Sequence, residues 1–485
     1  CLVGSEMCIR DRYMPIRNYN YVCPYSHEMT HGLLLSLLAL GASWRSPQSP
    51  WYAAAAGLSL GLVALGKIEL TVAAAAGVFT SCALLEWNAG SSLLRIGRRL
   101  LAIAIWATIP FGMAIFWLSF YMPTADGLDS CLGGLRMANV DEIRELDFYR
   151  RGLGTLDLPA SLSALATSVA RWTLLLATGA ILASWRSAGR IVAPAMGVAG
   201  ALMLWLGGFD WTSMDRALPV LLATLVLWQA RAVLRQPAVD DAVDPRRKEV
   251  DSPRPHGNVN EASQYCLRVG WCVFALALLA KMALYSRISH YGFVLAAPAV
   301  LAIVVALHDW LPDALSARGR EGRALWRLAA PLLLAFVAVY QCEQSRQIAR
   351  DAQLGSGADR FAVGSSADPV VAAMDRIERF VGPNETLAVL PEGVMLNYLS
   401  RRPTSMQFFT WMPPELYFFG ESAMLAAFAA DPPDWIILAD RDLAEYGVPQ
   451  FGAGYADAID GWIRQNYAVT DAWDDGRWRL LQPSP

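Results

Sequence analysis

Ten apolar runs constrain this chain more than any other feature of its sequence. They cover roughly 29–44, 51–66, 70–86, 100–121, 165–185, 191–208, 217–234, 266–284, 291–307 and 326–341. Apolar runs of this length belong in lipid, where every backbone N–H and C=O must be satisfied within its own segment, so helices are expected. The second and third runs need a turn. Taken as one helix, 51–86 would extend about 54 Å, well beyond a hydrocarbon core of about 30 Å. Folded at Gly66-Lys67-Ile68-Glu69, they become two short spans with a charged tip near one membrane face. The chain is 55% hydrophobic and 17% charged, against about 25% charged for soluble proteins. The expected fold class is therefore mostly α: a polytopic helical membrane protein of about ten spans with a small C-terminal α/β domain. A net charge of −3 speaks against a nucleic-acid partner.

Domain limits follow from composition. Residues 1–12, CLVGSEMCIRDR, follow no apolar or amphipathic pattern and read as adaptor-derived sequence. The native N-terminus is then expected to be missing, with Tyr13 lying inside a longer gene. Residues 13–342 form the membrane domain, interrupted at 236–262 by a Pro-rich, charged segment read as a disordered cytoplasmic linker. Residues 343–485 form the soluble domain. In it Asp368–Phe380, Gly393–Leu399 and Tyr455–Gln465 read as helices, and Leu387–Leu390, Trp435–Ala439 and Arg477–Leu481 as short strands. No glycine-rich phosphate loop follows either of the first two strands. Six cysteines outside residues 1–12 are scattered singly, with no C-x-x-C pair.

Orientation follows from basic loops. Arg95, Arg98 and Arg99; Arg186 and Arg190; Arg235, Arg246, Arg247, Lys248 and Arg254; and Arg318, Arg320 and Arg323 occupy alternate loops, which are expected to be cytoplasmic. Loop 122–160 has the opposite balance, seven acids against four arginines. The outer face then receives residues 13–28, the 66–69 tip, loop 122–160, 208–216, 286–290 and everything beyond about 342. All the polar clusters of interest fall on that face.

The first cluster is His27-Glu28-Met29-Thr30-His31, which spells H-E-x-x-H. Histidines four apart share a helix face and can hold one zinc while the glutamate activates its water. His27, His31 and Glu69 are the candidate ligands of such a divalent metal. Otherwise these residues cap a helix and meet lipid headgroups, with Thr30 or Ser26 as N-cap. Lys67 at the hairpin tip can hold an anionic phosphate as a point charge, or pair locally with Glu69. Asp210, Asp215 and Arg216 precede the seventh run. Lys281, Arg287 and His290 ring the next external turn beside Tyr285 and Tyr291. Cations from four external turns, facing the carboxylates Glu28, Glu69 and Asp210, suit a substrate with a lipid tail and a phosphate. The acids can deprotonate an acceptor hydroxyl and the cations can stabilise a phosphate leaving group.

Three segments carry a resemblance to the GT-C glycosyltransferases, most closely to family 39, the protein O-mannosyltransferase and lipid A aminoarabinose transferase type. They are Pro24-Tyr25-Ser26-His27 through Thr30-His31-Gly32; Gly61-Leu62-Val63-Ala64-Leu65-Gly66-Lys67; and Ser286-Arg287 through His290-Tyr291 to Pro298. The second differs from the family's hairpin in having Gly66 where threonine is usual. The soluble domain's Leu390-Pro391-Glu392-Gly393 and Phe451-Gly452 resemble the external tail of some bacterial members. The resemblance covers most of Tyr19–Arg327. It implies a polyprenyl-phosphate-linked sugar donor, an extracytoplasmic lipid, glycan or protein acceptor, inversion at the sugar carbon, and a bacterial inner-membrane location with the C-terminal domain outside. Donor-binding positions would be Lys67, Arg216, Lys281, Arg287, His290 and Tyr291, with Glu28, His27 and Asp210 as catalytic candidates. The family's main catalytic acid lies in a first external loop, which would precede Tyr13, so this polypeptide is expected to be inactive as it stands. Two other readings remain: a membrane zinc hydrolase using H-E-x-x-H, and a non-enzymatic transporter or assembly factor.

Overall fold

A computed structural model describes residues 27–185, 188–207, 214–235, 257–288, 292–346, 352–363 and 367–485. They divide into two compact units. One contains Gly152–Val339 and the chain up to Leu135; the other contains Arg136–Arg151 and Tyr340–Pro485.

In the helical unit every apolar run becomes a helix. These are His27–Arg45, Pro50–Ala64, Ile68–Asn88, Leu93–Leu118, Leu158–Ser184, Ala188–Trp205, Leu218–Arg235, Gly257–Leu279, Gly292–Val305 and Arg323–Arg346. The ninth continues through a π turn, Ala306–Trp310, into Leu311–Ser316. The expectation of ten spans is nevertheless corrected. Among the described residues six stretches are long and apolar enough to cross a membrane: Ile68–Asn88, Leu93–Leu118, Asp147–Ser184, Met214–Arg235, Ala262–Met282 and Val294–Ser316. Two further apolar helices, Pro50–Ala64 and Gly189–Trp205, are shorter. Pro50–Ala64 has 15 residues, about 22 Å of helix against a core of about 30 Å. His27–Arg45 carries Glu28 in its first turn and Arg45 in its last. The linker limit also moves. Residues 236–256 lie outside the described residues, but 257–262 already belong to the helix Gly257–Leu279.

Small residues let these helices approach closely, as association within lipid requires. A Cβ on Gly57 would lie 2.4 Å from the Ile103 carbonyl oxygen, and one on Gly61 2.3 Å from that of Ala107. Gly77 and Gly270 play the same part between Ile68–Asn88 and Gly257–Leu279, where Phe274 is fully buried. The core is continuous through Leu40, Leu70, Ile103, Leu222, Leu278 and Leu307.

The second unit is α/β. Its main sheet runs β3 (Leu387–Leu390), β4 (Trp435–Ala439), β6 (Trp478–Pro483) and β5 (Tyr467–Trp473) in space, with β1 (Ala352–Leu354) and β2 (Phe361–Val363) forming a separate pair. β3 and β4 are parallel; β6 is antiparallel to both β4 and β5. The helices Asp368–Phe380, Val394–Ser400 and Asp457–Asn466 lie within two residues of expectation. Val370, Ala373 and Ile377 give the first its buried face. Strand β5 was not anticipated. It is an edge strand with a bulge between Val469 and Asp471 and little buried surface, so its sequence carries a weak alternation.

Loop 122–160 is also more ordered than its sequence implies. It forms helices Thr124–Met137, Asp141–Glu145 and Asp147–Leu153. Phe148 stacks on Tyr446 with ring centroids 5.0 Å apart, and the helix Asp141–Glu145 packs on Pro413–Phe419. A unit assembled from 136–151 and 340–485 cannot be divided by a bilayer, so both segments lie on one side of it. Reporters inserted after Ala138 and fused after Pro485 are therefore expected to respond alike, and by the arginine distribution both from outside the cytoplasm. Opposite responses would break the composite unit. A shared cytoplasmic response would overturn the orientation alone.

Candidate functional site

The charged residues expected at the outer face gather at one end of the helical unit. Two first turns begin the cluster. Gly32 packs on Leu70, where a Cβ would lie 2.6 Å from Cδ1, and a Cβ on Gly66 would lie 3.8 Å from that of Glu28. The start of His27–Arg45, with Glu28 and His31 exposed, thus sits beside the start of Ile68–Asn88. The hairpin tip is fixed by backbone bonds from Leu65 N to Leu62 O and from Gly66 N to Val63 O, 3.3 and 3.0 Å. Thr71 clamps it. Its Oγ1 donates to Lys67 O at 3.1 Å and lies 3.3 Å from Val63 O. Lys67 is the half-buried N-cap position of the following helix.

Glu69, in the first turn of that helix, forms an ion pair with Lys281. Lys281 lies in the single 3-10 turn Ala280–Met282 that ends Gly257–Leu279. The local Lys67–Glu69 pair is therefore not the one formed; Glu69 takes a partner 212 residues away. The chain then turns tightly. Met282 O accepts from Tyr285 N and from Ser286 Oγ, each at 3.1 Å, and Leu284 N donates to Leu153 O at 3.2 Å.

Tyr285 links this half to the next. The Arg216 guanidinium lies 3.4 Å from its ring centroid and that of Arg287 at 5.2 Å, so one aromatic ring holds two cations. Asp215 Oδ2 accepts the backbone N–H of Ile288 at 3.0 Å. The turn carrying Asp215 and Arg216, Met214–Ala217, is held from beneath. Met214 O accepts Ser168 Oγ at 3.0 Å and Trp172 Nε1 at 2.9 Å, and Ser168 Oγ accepts Ala217 N at 3.0 Å. Asp215 Oδ1 and Arg216 Nη1 are buried without a hydrogen-bond partner. A buried charged donor left unpaired is costly, and a bound anion is the natural remedy for Arg216.

Of the expected site residues, Glu69 pairs with Lys281, Arg216 and Arg287 share Tyr285, and the turn holding Glu28 adjoins the Gly66-Lys67 tip. Asp210, His290 and Tyr291, and the side chain of His27, lie outside the described residues. Among the described residues no three His, Cys, Asp or Glu side chains are grouped to hold a metal, and Glu69 is engaged by Lys281. Ser168, Trp172 and Thr71 were not anticipated. The first two act from a helix more than 40 residues away from the turn they support, a relation with no local signal. The fold defines a mostly helical protein with membrane-length apolar helices and a small C-terminal α/β unit. No protein-family model matches the chain, and neither a curated protein nor a solved structure matches it.

Proposed function

We propose that this chain is a multi-pass glycosyltransferase of the bacterial inner membrane, taking a sugar from a polyprenyl-phosphate-linked donor to an extracytoplasmic lipid, glycan or protein acceptor. The observation that carries the reading is the buried, unpartnered Arg216 Nη1, which shares the Tyr285 ring with Arg287, while Lys281 and Lys67 lie on neighbouring turns of the same helix bundle. Such a cradle suits a phosphate whose lipid tail stays in the bilayer. In the reaction the acceptor hydroxyl oxygen bonds to the sugar's anomeric carbon as the bond from that carbon to the phosphate oxygen breaks. The phosphate leaves with the electron pair and is stabilised by the cations. The acceptor proton passes to a carboxylate, for which Glu28 and Asp215 are the best-placed candidates because Glu69 is bound to Lys281.

Titration with a short-chain polyprenyl phosphate tests the assignment. Lys67 is half-buried and close to Glu69, which offsets part of its field. Lys67→Ala is therefore expected to lose about 10-fold in affinity, roughly 1.4 kcal/mol, and Lys67→Arg to recover part of it. Equal affinities of parent and Lys67→Ala would remove this lysine from the site. Stoichiometric zinc that is lost in His31→Ala, together with a hydrolytic activity, would replace the whole reading with a metal hydrolase.

A further inference from the structure

A cavity of about 350 Å³ opens within the helical unit between Leu158–Ser184, Leu218–Arg235 and the continuous stretch 303–318. Its lining is almost wholly apolar, with Trp172, Leu225, Trp228, Ile303 and Leu307 prominent and Arg318 the one charged residue. Thr224 also lines it, but its hydroxyl is spent on Val220 O at 2.8 Å. At water-like volumes of about 30 Å³ per small group, the space takes about a dozen methylenes, most of one acyl chain.

The two ends of the cavity differ. At one end lies Trp172, whose Nε1 donates to Met214 O at 2.9 Å in the turn that Ser168 also ties. Arg318 stands at the other end, beyond Leu311–Ser316, roughly 35 Å of helix from the turn before Gly292. Its Nη1 donates to Ala314 O at 2.7 Å, folding the guanidinium along its own helix. Among the described residues no carboxylate pairs with it. Glu321, the nearest acid in sequence, is already held by Arg190 at 3.3 Å and Arg327 at 3.1 Å. Arg320 and Arg323 add further positive charge to the same segment.

We propose that this cavity is a lipid site for one anionic phospholipid, one acyl chain lying in the slot and its phosphate resting on Arg318. Charge selects the occupant. A neutral chain would fill the slot equally well, but only an anionic headgroup answers the unpaired guanidinium at its mouth. Arg318, which would hold its headgroup, is not among the cations of the proposed donor site, although Trp172 of the lining also braces the Arg216 turn.

The test uses the full chain purified from nanodiscs containing equal phosphatidylglycerol and phosphatidylcholine, with retained lipid read by native mass spectrometry. One phosphatidylglycerol per chain, retained about 10-fold over phosphatidylcholine, is expected. Arg318→Glu should abolish that preference while its unfolding midpoint in pure phosphatidylcholine stays at the parent value, which shows that the fold survives. Ala314→Phe, narrowing the slot, should lower retention of both lipids. Equal retention of the two lipids by the parent, or an unchanged preference in Arg318→Glu, would overturn the proposal. So would displacement of phosphatidylglycerol by a polyprenyl phosphate, since the slot would then belong to the donor.

Discussion

Arg216→Ala is expected to weaken binding of a polyprenyl-phosphate analogue towards 100-fold, the largest loss of any single cation in the cluster. Three features set it apart from Lys67. Its Nη1 is buried and unpartnered, its guanidinium is fixed 3.4 Å over Tyr285, and its turn is tied down by Ser168 and Trp172. A desolvated, pre-positioned donor makes a charge-assisted hydrogen bond worth about 1.5–3 kcal/mol. At 1.4 kcal/mol per decade this spans about 10- to 100-fold. Arg216→Lys should recover little, because an ammonium lacks both the planar fork and the stacking on Tyr285. Binding can be followed by isothermal titration in detergent. A purely structural Arg216 predicts a different pattern: a lower melting temperature in Arg216→Ala with analogue affinity unchanged. That result would sink the phosphate assignment at its strongest point.

The second large effect is expected in the α/β unit. Arg441 bridges Glu392 Oε2 at 3.4 Å and Glu445 Oε1 at 3.1 Å. The Glu392 side chain is only 2% exposed and that of Arg441 10%. Removing one partner of a buried pair leaves an uncompensated charge, which costs about 3–5 kcal/mol. Arg441→Ala should therefore destabilise this unit by about that amount, a large part of a domain's whole stability. Replacing both partners, as Glu392→Leu with Arg441→Met, should restore much of it, because the desolvation penalty disappears along with the attraction. Urea unfolding of the full chain, followed by protease cleavage between 343 and 485, reads both variants. An unaltered midpoint in Arg441→Ala would show that the pair contributes nothing net. Another carboxylate of this unit has a contrasting environment. Burial pushes Glu415 up to about 7, and its Oε2 has no hydrogen-bond partner.

Several elements could be read directly from residue order. The helices follow from apolar runs, and the turn at Gly66-Lys67 follows from the mismatch between 51–86 and a bilayer. Strands β3 and β4 follow from Leu387–Leu390 and Trp435–Ala439, short apolar runs that are buried along their full length. Each rests on local hydrogen bonding and local hydrophobic period, which neighbouring residues suffice to specify.

Side-chain partnership is a different kind of information, and only the tertiary structure decided it. Nothing near Glu69 indicates that Lys281 is its partner. Nothing near Arg216 indicates that it shares Tyr285 with Arg287, or that Ser168 and Trp172 brace its turn. The joining of 136–151 to the C-terminal unit through Phe148 and Tyr446 belongs to the same class, as does the pairing of β5 with β6. The apolar pattern by itself determined which stretches of the first unit are helical and suited to a membrane; where those helices end, as at Leu279 and Ser316, followed from the structure. Which charges meet at the end of the bundle, and which remain unpaired there, was decided by packing. Contacts between residues far apart in the chain depend on how the helices are set against one another, and close approaches such as Gly32 on Leu70 and Gly77 on Phe274 set them.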